Sequence, residues 1–450
     1  MGLSAASDNN NQLTAQKLAS PGIRWRRSLS GLLALCALAC PAAESITPTE
    51  QIAAASRLLE EGRLAQAQAI VSQLRAAPEP DSQVLFLSGA LYFIGGRYED
   101  AAGEFRLILA RDPTLVRPRL ELARALFMAT EYEAARYNFE QTLASPLPEQ
   151  VRENVLAYLD AIREHLPSFS FSFDLVADSN PKRATSTKVV QIGNLLFQLN
   201  DQARSREAQG VLFTGQGRYP FPADNSLFLR GYLEYYDYAA GDLDLFYAQA
   251  LGGKHINIGR NGIDLEAGGH VATYAGKTLY SGGVWRVSDF IRLDPTLALT
   301  MALDAKQLDY ADFPFLDGWQ HTASADLRHA LDPRTSVSGG VAYTLGSAQE
   351  PAYSFERPAL NLRYVREWKR GWIGSISWQY AHYHFDGADP FFGTVRTDRE
   401  NLAEFGIANR YLTYKRLSPR LTLGYADRQS NIGLYSYDRI YVRVGLVTEF

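Results

Sequence analysis

Few residues of this chain combine the types and spacing that chemistry requires. His382 and His384 lie two positions apart, so they share one face of a strand and could supply two ligands to a metal ion. A metal site needs three or four ligands, and no neighbouring residue completes the set. The alternative is that both histidines are polar residues at the level of lipid headgroups, beside Trp378 and Tyr380. The sequence therefore predicts no metal centre.

A second candidate is Gly252-Gly253-Lys254, which is similar to the end of a phosphate-binding loop. His255 follows where that loop requires a hydroxyl residue, and the segment alternates as a strand does. The sequence has no nucleophile elbow and no spaced set of Ser, His and Asp residues. We therefore expect no enzymatic activity and no cofactor, with a membrane-embedded lipase or protease as the alternative.

The N-terminal region indicates export. Arg24, Arg26 and Arg27 precede an apolar stretch over residues 29–39, and small residues follow at 41–43. This pattern predicts a signal peptide over residues 1–43, with a polar N-terminal extension. Both cysteines of the chain, Cys36 and Cys40, lie in that signal, so the mature protein has no thiol. The alternative is a lipidation site at Cys40. With a net charge of −4, the sequence gives no reason to expect a nucleic-acid partner.

Residues 48–163 have a helical period and a repeat spacing of 34. Small and aromatic residues recur in register, including Gly62 and Gly96; Ala67, Ala101 and Ala135; Tyr98 and Tyr132; and Phe105 and Phe139. The spacing predicts a tetratricopeptide α-solenoid with repeats at 48–81, 82–115 and 116–149 and a capping helix at 151–164. The recurring residues are expected to form the core. Binding is expected on the concave first helices, at side chains such as Arg57, Gln83 and Arg124.

At Pro167 the period changes from 3.6 to 2. Phe169, Phe171 and Phe173 alternate with polar residues, and strands of about ten residues continue to the end of the chain. After the signal, no apolar run approaches the ~18 residues of a membrane-spanning helix. Residues 167–450 are therefore predicted to form a transmembrane antiparallel β-barrel of about 14 strands. The last strand is predicted to close the barrel by pairing with the strand that starts near Phe169, and it ends on Phe450, which is typical of outer-membrane barrels. A soluble β-sandwich is the alternative.

The predicted connections fall into two classes. Short turns are predicted at 222–225, 259–262, 294–295, 332–334, 369–371 and 417–419, and longer loops at 176–206, 309–318, 346–353, 385–396 and 427–436. Short turns on one side and long loops on the other are typical of outer-membrane barrels, whose short side is periplasmic. Charged residues on the wet face of the strands are predicted to face the lumen: Arg230, Glu234, Asp326, Arg328, Arg439 and Arg443.

This architecture resembles the surface lipoprotein assembly modulator family, the translocators of the type XI secretion system. The local resemblance is at Asp178 and Asn180, at the end of the first strand, which are similar to an Asp-x-Asn segment of that family. The resemblance implies a protein that exports a lipoprotein or a small soluble protein from the periplasm to the surface of a Gram-negative cell. It also implies that outer-membrane lipids, the barrel assembly machinery and periplasmic chaperones are partners. The alternatives are a polysaccharide export porin with periplasmic repeats, and a general porin or adhesin.

Overall fold

A computed structural model describes residues 47–192, 195–258, 261–414 and 416–448. The predicted signal peptide, its polar extension and the terminal Phe450 lie outside the described residues. The described chain has two parts in the order that the change of period predicts: helices first, then strands.

Over the described residues the first part consists of seven helices. They are α1 Pro48–Glu60, α2 Leu64–Arg75, α3 Ser82–Ile94, α4 Tyr98–Arg111, α5 Val116–Met128, α6 Tyr132–Leu143 and α7 Glu149–His165. Thr47 begins α1 with a capping box, because its hydroxyl accepts from the Glu50 N–H while the Glu50 carboxylate accepts from the Thr47 N–H. Gly62 and Gly96, both with φ of 75°, lie in the tight turns between consecutive helices, where a positive φ favours glycine.

The core of the helical part is made of small and aromatic residues. Gly89 in α3 lies directly against the ring of Phe105 in α4, where a side chain would collide with the ring. Phe105 also packs edge-to-face on Phe86, and Phe139 stacks on Tyr158 with ring centroids 4.9 Å apart. Consecutive helices therefore pack closely on one another. That these helix pairs are tetratricopeptide repeats stays a prediction.

The second part of the described chain is a closed antiparallel barrel of fourteen strands. The barrel strands are β1 Ser168–Asp178, β4 Ala208–Phe221, β5 Asp224–Tyr238, β6 Leu245–Ile258, β7 Asn261–Tyr274, β8 Lys277–Asp294, β9 Leu297–Tyr310, β10 Gly318–Asp332, β11 Thr335–Ala348, β12 Phe355–Glu367, β13 Trp372–Ala388, β14 Val395–Asn409, β15 Leu417–Ser430 and β16 Tyr437–Thr448. A separate hairpin, β2 Val189–Ile192 and β3 Leu195–Gln198, lies in the first long loop. The predicted number of strands is confirmed.

The barrel closes between its first and last strands. β1 pairs with β16 from Ser172 opposite Val447 to Asp178 opposite Tyr441, and its other edge pairs with β4. This closure confirms the prediction that the last strand of the chain joins the first. The closed barrel has no open edge. An open edge would leave unpaired backbone N–H and C=O groups in the bilayer, where water cannot bond to them.

The connections differ in two places from the sequence prediction. The short turn expected at 417–419 is wrong, because those residues begin β15 and the turn precedes them, starting at Arg410. The Asn409 side chain accepts from the Tyr411 N–H there and starts a 3-10 turn. On the long-loop side, β7 and β8 are joined by Ala275 and Gly276 alone, both with positive φ, as in a tight hairpin turn.

The outer face of the barrel is apolar. Phe169, Phe171, Phe173 and Leu175 alternate along β1 on this face, and Phe169 is 61% exposed. Large exposed apolar side chains continue around the barrel, as expected of strands that face lipid. Among the helices of the described residues, none combines the length and apolar character needed to cross a bilayer.

Candidate functional site

The helices cover the mouth of the barrel on the short-turn side. We refer to residues 48–165 as the helical cap. Helix α6 contributes Glu133, Arg136 and Tyr137 to the lining of a cavity of about 540 Å³, and the barrel supplies the rest, mainly from the inner faces of its strands. We call this space the lumen cavity. The cap and the barrel therefore share one site, which neither part forms alone.

A buried ion pair joins the cap to the barrel. The Arg119 side chain in α5 is 0% exposed, and its Nη2 donates to Glu367 Oε2 at 2.8 Å, at the end of β12. The same guanidinium donates to the Pro113 carbonyl at 2.8 Å and to Asn138 Oδ1 at 3.2 Å. Arg410 approaches Glu367 from the barrel at 3.7 Å. The Glu367 carboxylate thus neutralises two buried guanidinium groups. Removing one member of such a group is strongly destabilising, because it leaves a buried charge without its partner.

Further polar contacts surround this pair. Arg328, one of the predicted lumen residues, binds Glu140 of α6 at 3.0 Å. In the last short turn, Arg416 Nη2 donates to the Ala129 carbonyl at 2.7 Å, and the guanidinium lies 3.6 Å from Glu131. The cap is therefore held at several points around the mouth of the barrel.

The other predicted lumen residues also lie on the inner face, and the structure gives each a polar partner. Arg230 donates to Glu266 at 2.7 Å, Glu234 accepts from the Tyr232 hydroxyl at 2.7 Å, Asp326 accepts from Asn361 at 3.1 Å, and Arg443 pairs with Glu404. Three of these pairs join strands that have one strand between them, β5 with β7, β10 with β12 and β14 with β16, and the fourth lies along β5. The predicted lumen charges therefore have charged or polar partners on the inner wall.

The Asp178 and Asn180 segment lies where the barrel closes. Asp178 is 3% exposed and accepts from Arg439 Nη2 at 2.5 Å and from the Tyr238 hydroxyl at 3.1 Å. Asn180 Nδ2 donates to the Asp438 carbonyl at 2.9 Å. The two residues therefore tie the end of β1 to the start of β16 on the long-loop side. These contacts stabilise the junction between β1 and β16, where the barrel closes; we call them the closure clamp.

The three predicted client contacts lie on the first helix of each pair. Arg57 in α1 and Gln83 in α3 are exposed, whereas Arg124 in α5 is half-buried. Arg124 donates to Glu121 at 2.9 Å and lies over the Phe93 ring. The structure does not bring the three together with the residues described above as lining the lumen cavity. A role in client binding stays a prediction.

The sequence analysis missed the residues that join cap and barrel. Arg119 is the one of these residues that the sequence could have revealed. It lies 34 residues after Leu85, at the same position of the repeat, and Leu85 is a core residue at 0% exposure. A charge in a core slot indicates a buried partner elsewhere. Glu367 gave no such signal, since it fits the alternation of its own strand.

The two histidines lie away from this site. His382 and His384 are on the outer face of β13, next to Trp378 and Tyr380, whose rings stack 6.2 Å apart. In the part of the chain that the structure describes, no group of three His, Cys, Asp or Glu side chains could hold a metal ion.

Comparison with known proteins gives one family and several relatives. A family model described as "Surface lipoprotein assembly modifier" matches residues 168–450. "Surface lipoprotein assembly modifier 1" of Haemophilus influenzae is 24% identical over 368 residues, covering 78% of this chain and 74% of the relative. The protein with the same description in Neisseria meningitidis is 23% identical, covering 81% of this chain and 75% of that protein. "Hemophilin secretion modulator" of Acinetobacter baumannii is 22% identical, covering 79% of this chain and 76% of that protein.

Among solved structures, a TodX monoaromatic hydrocarbon channel is similar with a TM-score of 0.36 and 12% identity, covering 63% of this chain and 90% of that one.

Proposed function

The chain belongs to the surface lipoprotein assembly modifier family, and on that premise we propose that it exports a protein client across the outer membrane to the cell surface. The client is a surface lipoprotein or a small soluble secreted protein. The barrel is the passage, and the helical cap, on the short-turn side, is the periplasmic docking platform for the client or its accessory factors.

One observation carries this proposal: α6 lines the lumen cavity together with the barrel wall. The cap lies across the short-turn mouth of the barrel and is held there by Arg119–Glu367 and Arg328–Glu140, so it must shift before a folded client can pass. A diffusion channel has no need of a cap that closes its mouth through a buried ion pair. A translocator benefits from one, because the mouth then opens only when a client displaces the cap.

The first experiment fixes the cap to the barrel. Residues 41–450 contain no cysteine, so Glu140→Cys combined with Arg328→Cys introduces the only thiols of that part of the chain. The two side chains meet at 3.0 Å in the wild type, within reach of a thiol-specific crosslinker. We expect crosslinking on cells to abolish the surface display of a co-expressed client, measured by protease shaving of intact cells. The two single-cysteine variants, treated identically, are the control. Normal display after complete crosslinking would contradict the proposal.

Deletion of residues 48–163 separates the proposed function from its alternatives. We expect the deletion to abolish client display or to change which client is displayed. A general porin should instead keep its conductance in planar bilayers without the cap. A polysaccharide exporter should lose extracellular glycan while client display continues, and that result would refute the proposal.

A further inference from the structure

The outer face of β6 carries small residues where other strands carry large ones. Ala250 and Gly252 are exposed on this face, and Leu251 between them is buried toward the lumen. Small residues also lie beside them on the neighbouring strands, because Gly231 of β5 pairs with Ala250 and Ala267 of β7 pairs with Gly252. The apolar outer wall of the barrel therefore has a depression along β6.

Two open cavities on the outer wall meet at this depression. Their volumes are about 950 and 680 Å³, and Leu229 and Gly252 line both of them. Leu265 and Trp285 line the larger cavity, and their side chains are 42% and 45% exposed. A Cβ atom at position 252 would lie 4.0 Å from the nearest atom, the Ala267 carbonyl oxygen, so the space is open down to the backbone. We call this depression, with its floor at Ala250, Gly252 and Ala267, the β6 groove.

A lysine lies at the short-turn end of the groove. Lys254 is the next outward residue after Gly252, is exposed, and also lines the larger cavity. It forms no ion pair with the residues that the structure describes, although Asp224 at the start of β5 lies within electrostatic range. Between Lys254 and the end of β6 at Ile258 the strand runs for about 13 Å. A lysine at this depth can extend its ammonium group to the level of the lipid headgroups.

The dimensions of the groove suit an acyl chain. From Lys254 to Phe246, the next large outward residue, β6 extends for about 26 Å at ~3.3 Å per residue. With a strand tilt of about 40°, this length covers about 20 Å of membrane depth. One leaflet of the hydrocarbon core is only about 15 Å deep. A second barrel would present a convex surface and bridge the groove, whereas a flexible chain fills it and gains van der Waals contacts, which drive association within a bilayer.

We propose that the β6 groove binds one anionic phospholipid of the leaflet on the short-turn side. Its phosphate lies at Lys254, and one acyl chain follows Gly252 and Ala250 along the strand. The charge of Lys254 selects the head group, and the small residues admit the chain. The site does not depend on the proposed export function.

The test uses the full-length protein in detergent, with phosphatidylglycerol and phosphatidylcholine as the probes. Native mass spectrometry measures the affinity for each lipid. We expect the wild type to bind one phosphatidylglycerol and to prefer it over phosphatidylcholine by about fivefold, as one lysine near an anionic head group implies. Lys254→Gln should lower this preference to about one and leave phosphatidylcholine binding unchanged. Arg366→Gln is the matched control, because it removes an outward cation near the short-turn end of β12 and should keep the preference.

A second variant fills the groove. Gly252→Leu should weaken the binding of both lipids by at least about fivefold, because its side chain occupies the space of the acyl chain. Ala403→Leu adds the same bulk at an exposed outward position of β14 and should bind as the wild type does. Ala250→Leu serves if Gly252→Leu does not fold.

Three results would overturn the proposal. The first is a wild type that binds no lipid or binds both lipids equally. The second is a Gly252→Leu variant with wild-type affinity, or an equal loss in Ala403→Leu. The third is a lipid-free dimer that Gly252→Leu dissociates, since a second copy of the chain would then occupy the groove.

Discussion

Replacing Glu367 by Gln removes the carboxylate on which the docking of the cap depends. Arg119 then stays fully buried with only neutral acceptors, which are the Pro113 carbonyl, Asn138 and the side-chain amide oxygen at position 367, and Arg410 loses the same carboxylate. Removing one member of a buried ion pair costs about 3–5 kcal/mol, because the remaining charge is left uncompensated. At ~1.4 kcal/mol for each factor of ten, the docking equilibrium shifts by roughly 100- to 4,000-fold toward the undocked cap.

The substitution should weaken the docking of the cap and leave the stability of the barrel unchanged. The backbone N–H of Glu367 donates to the Arg334 carbonyl at 2.8 Å, and the substitution does not touch that bond. We therefore expect faster amide hydrogen exchange in α5 and α6 and faster tryptic cleavage of the cap. The mobility of the folded barrel on unheated gels should not change.

Two variants make the measurement decisive. Adding Arg119→Met to Glu367→Gln removes the stranded charge, so the double variant should be less destabilised than the two single effects added together. Glu61→Gln breaks an exposed pair with Arg63, both about half exposed, and should leave docking unchanged. The reasoning is refuted if Glu367→Gln leaves exchange and cleavage of the cap at wild-type rates, or if Glu61→Gln changes them equally.

Three further outcomes are expected. Gly89→Val should destabilise the cap by ~1–3 kcal/mol in urea unfolding followed by circular dichroism, because a side chain at 89 meets the Phe105 ring; an unchanged midpoint would contradict this packing. Asp178→Asn should speed amide exchange in β1 and β16 while exchange in the other strands stays the same, since it breaks the buried closure clamp. The Thr114 hydroxyl holds the pKa of Asp112 below its ordinary value, so its stabilisation is present at neutral pH and is lost as the pH falls below about 4. Thr114→Val should therefore be less stable than the wild type at pH 7, with a difference that narrows at pH 3.

The sequence by itself determined the two-part architecture. The change of period at Pro167 separates helices from strands because a 3.6-residue period and a two-residue period bury different faces, and each is visible within a dozen residues. The number of strands and the closure of the last strand on the first followed from the same alternation. Each strand has one face toward lipid and one toward water, so each shows the alternation by itself. A wrong assignment of one strand therefore does not affect the assignment of the next.

The tertiary structure alone decided which charges meet. Arg119 and Glu367 are 248 residues apart, and nothing within either segment indicates the other. Arg328 satisfied the alternation of a lumen residue, yet its partner Glu140 comes from a helix. The last short turn begins at Arg410 because the Asn409 side chain starts it, nine residues ahead of Pro419, which the sequence analysis placed in the turn. Periodicity shows only which face of a helix or strand is buried and which is solvated. An ion pair depends instead on which elements lie next to each other, and the docking of the cap on the barrel decides this.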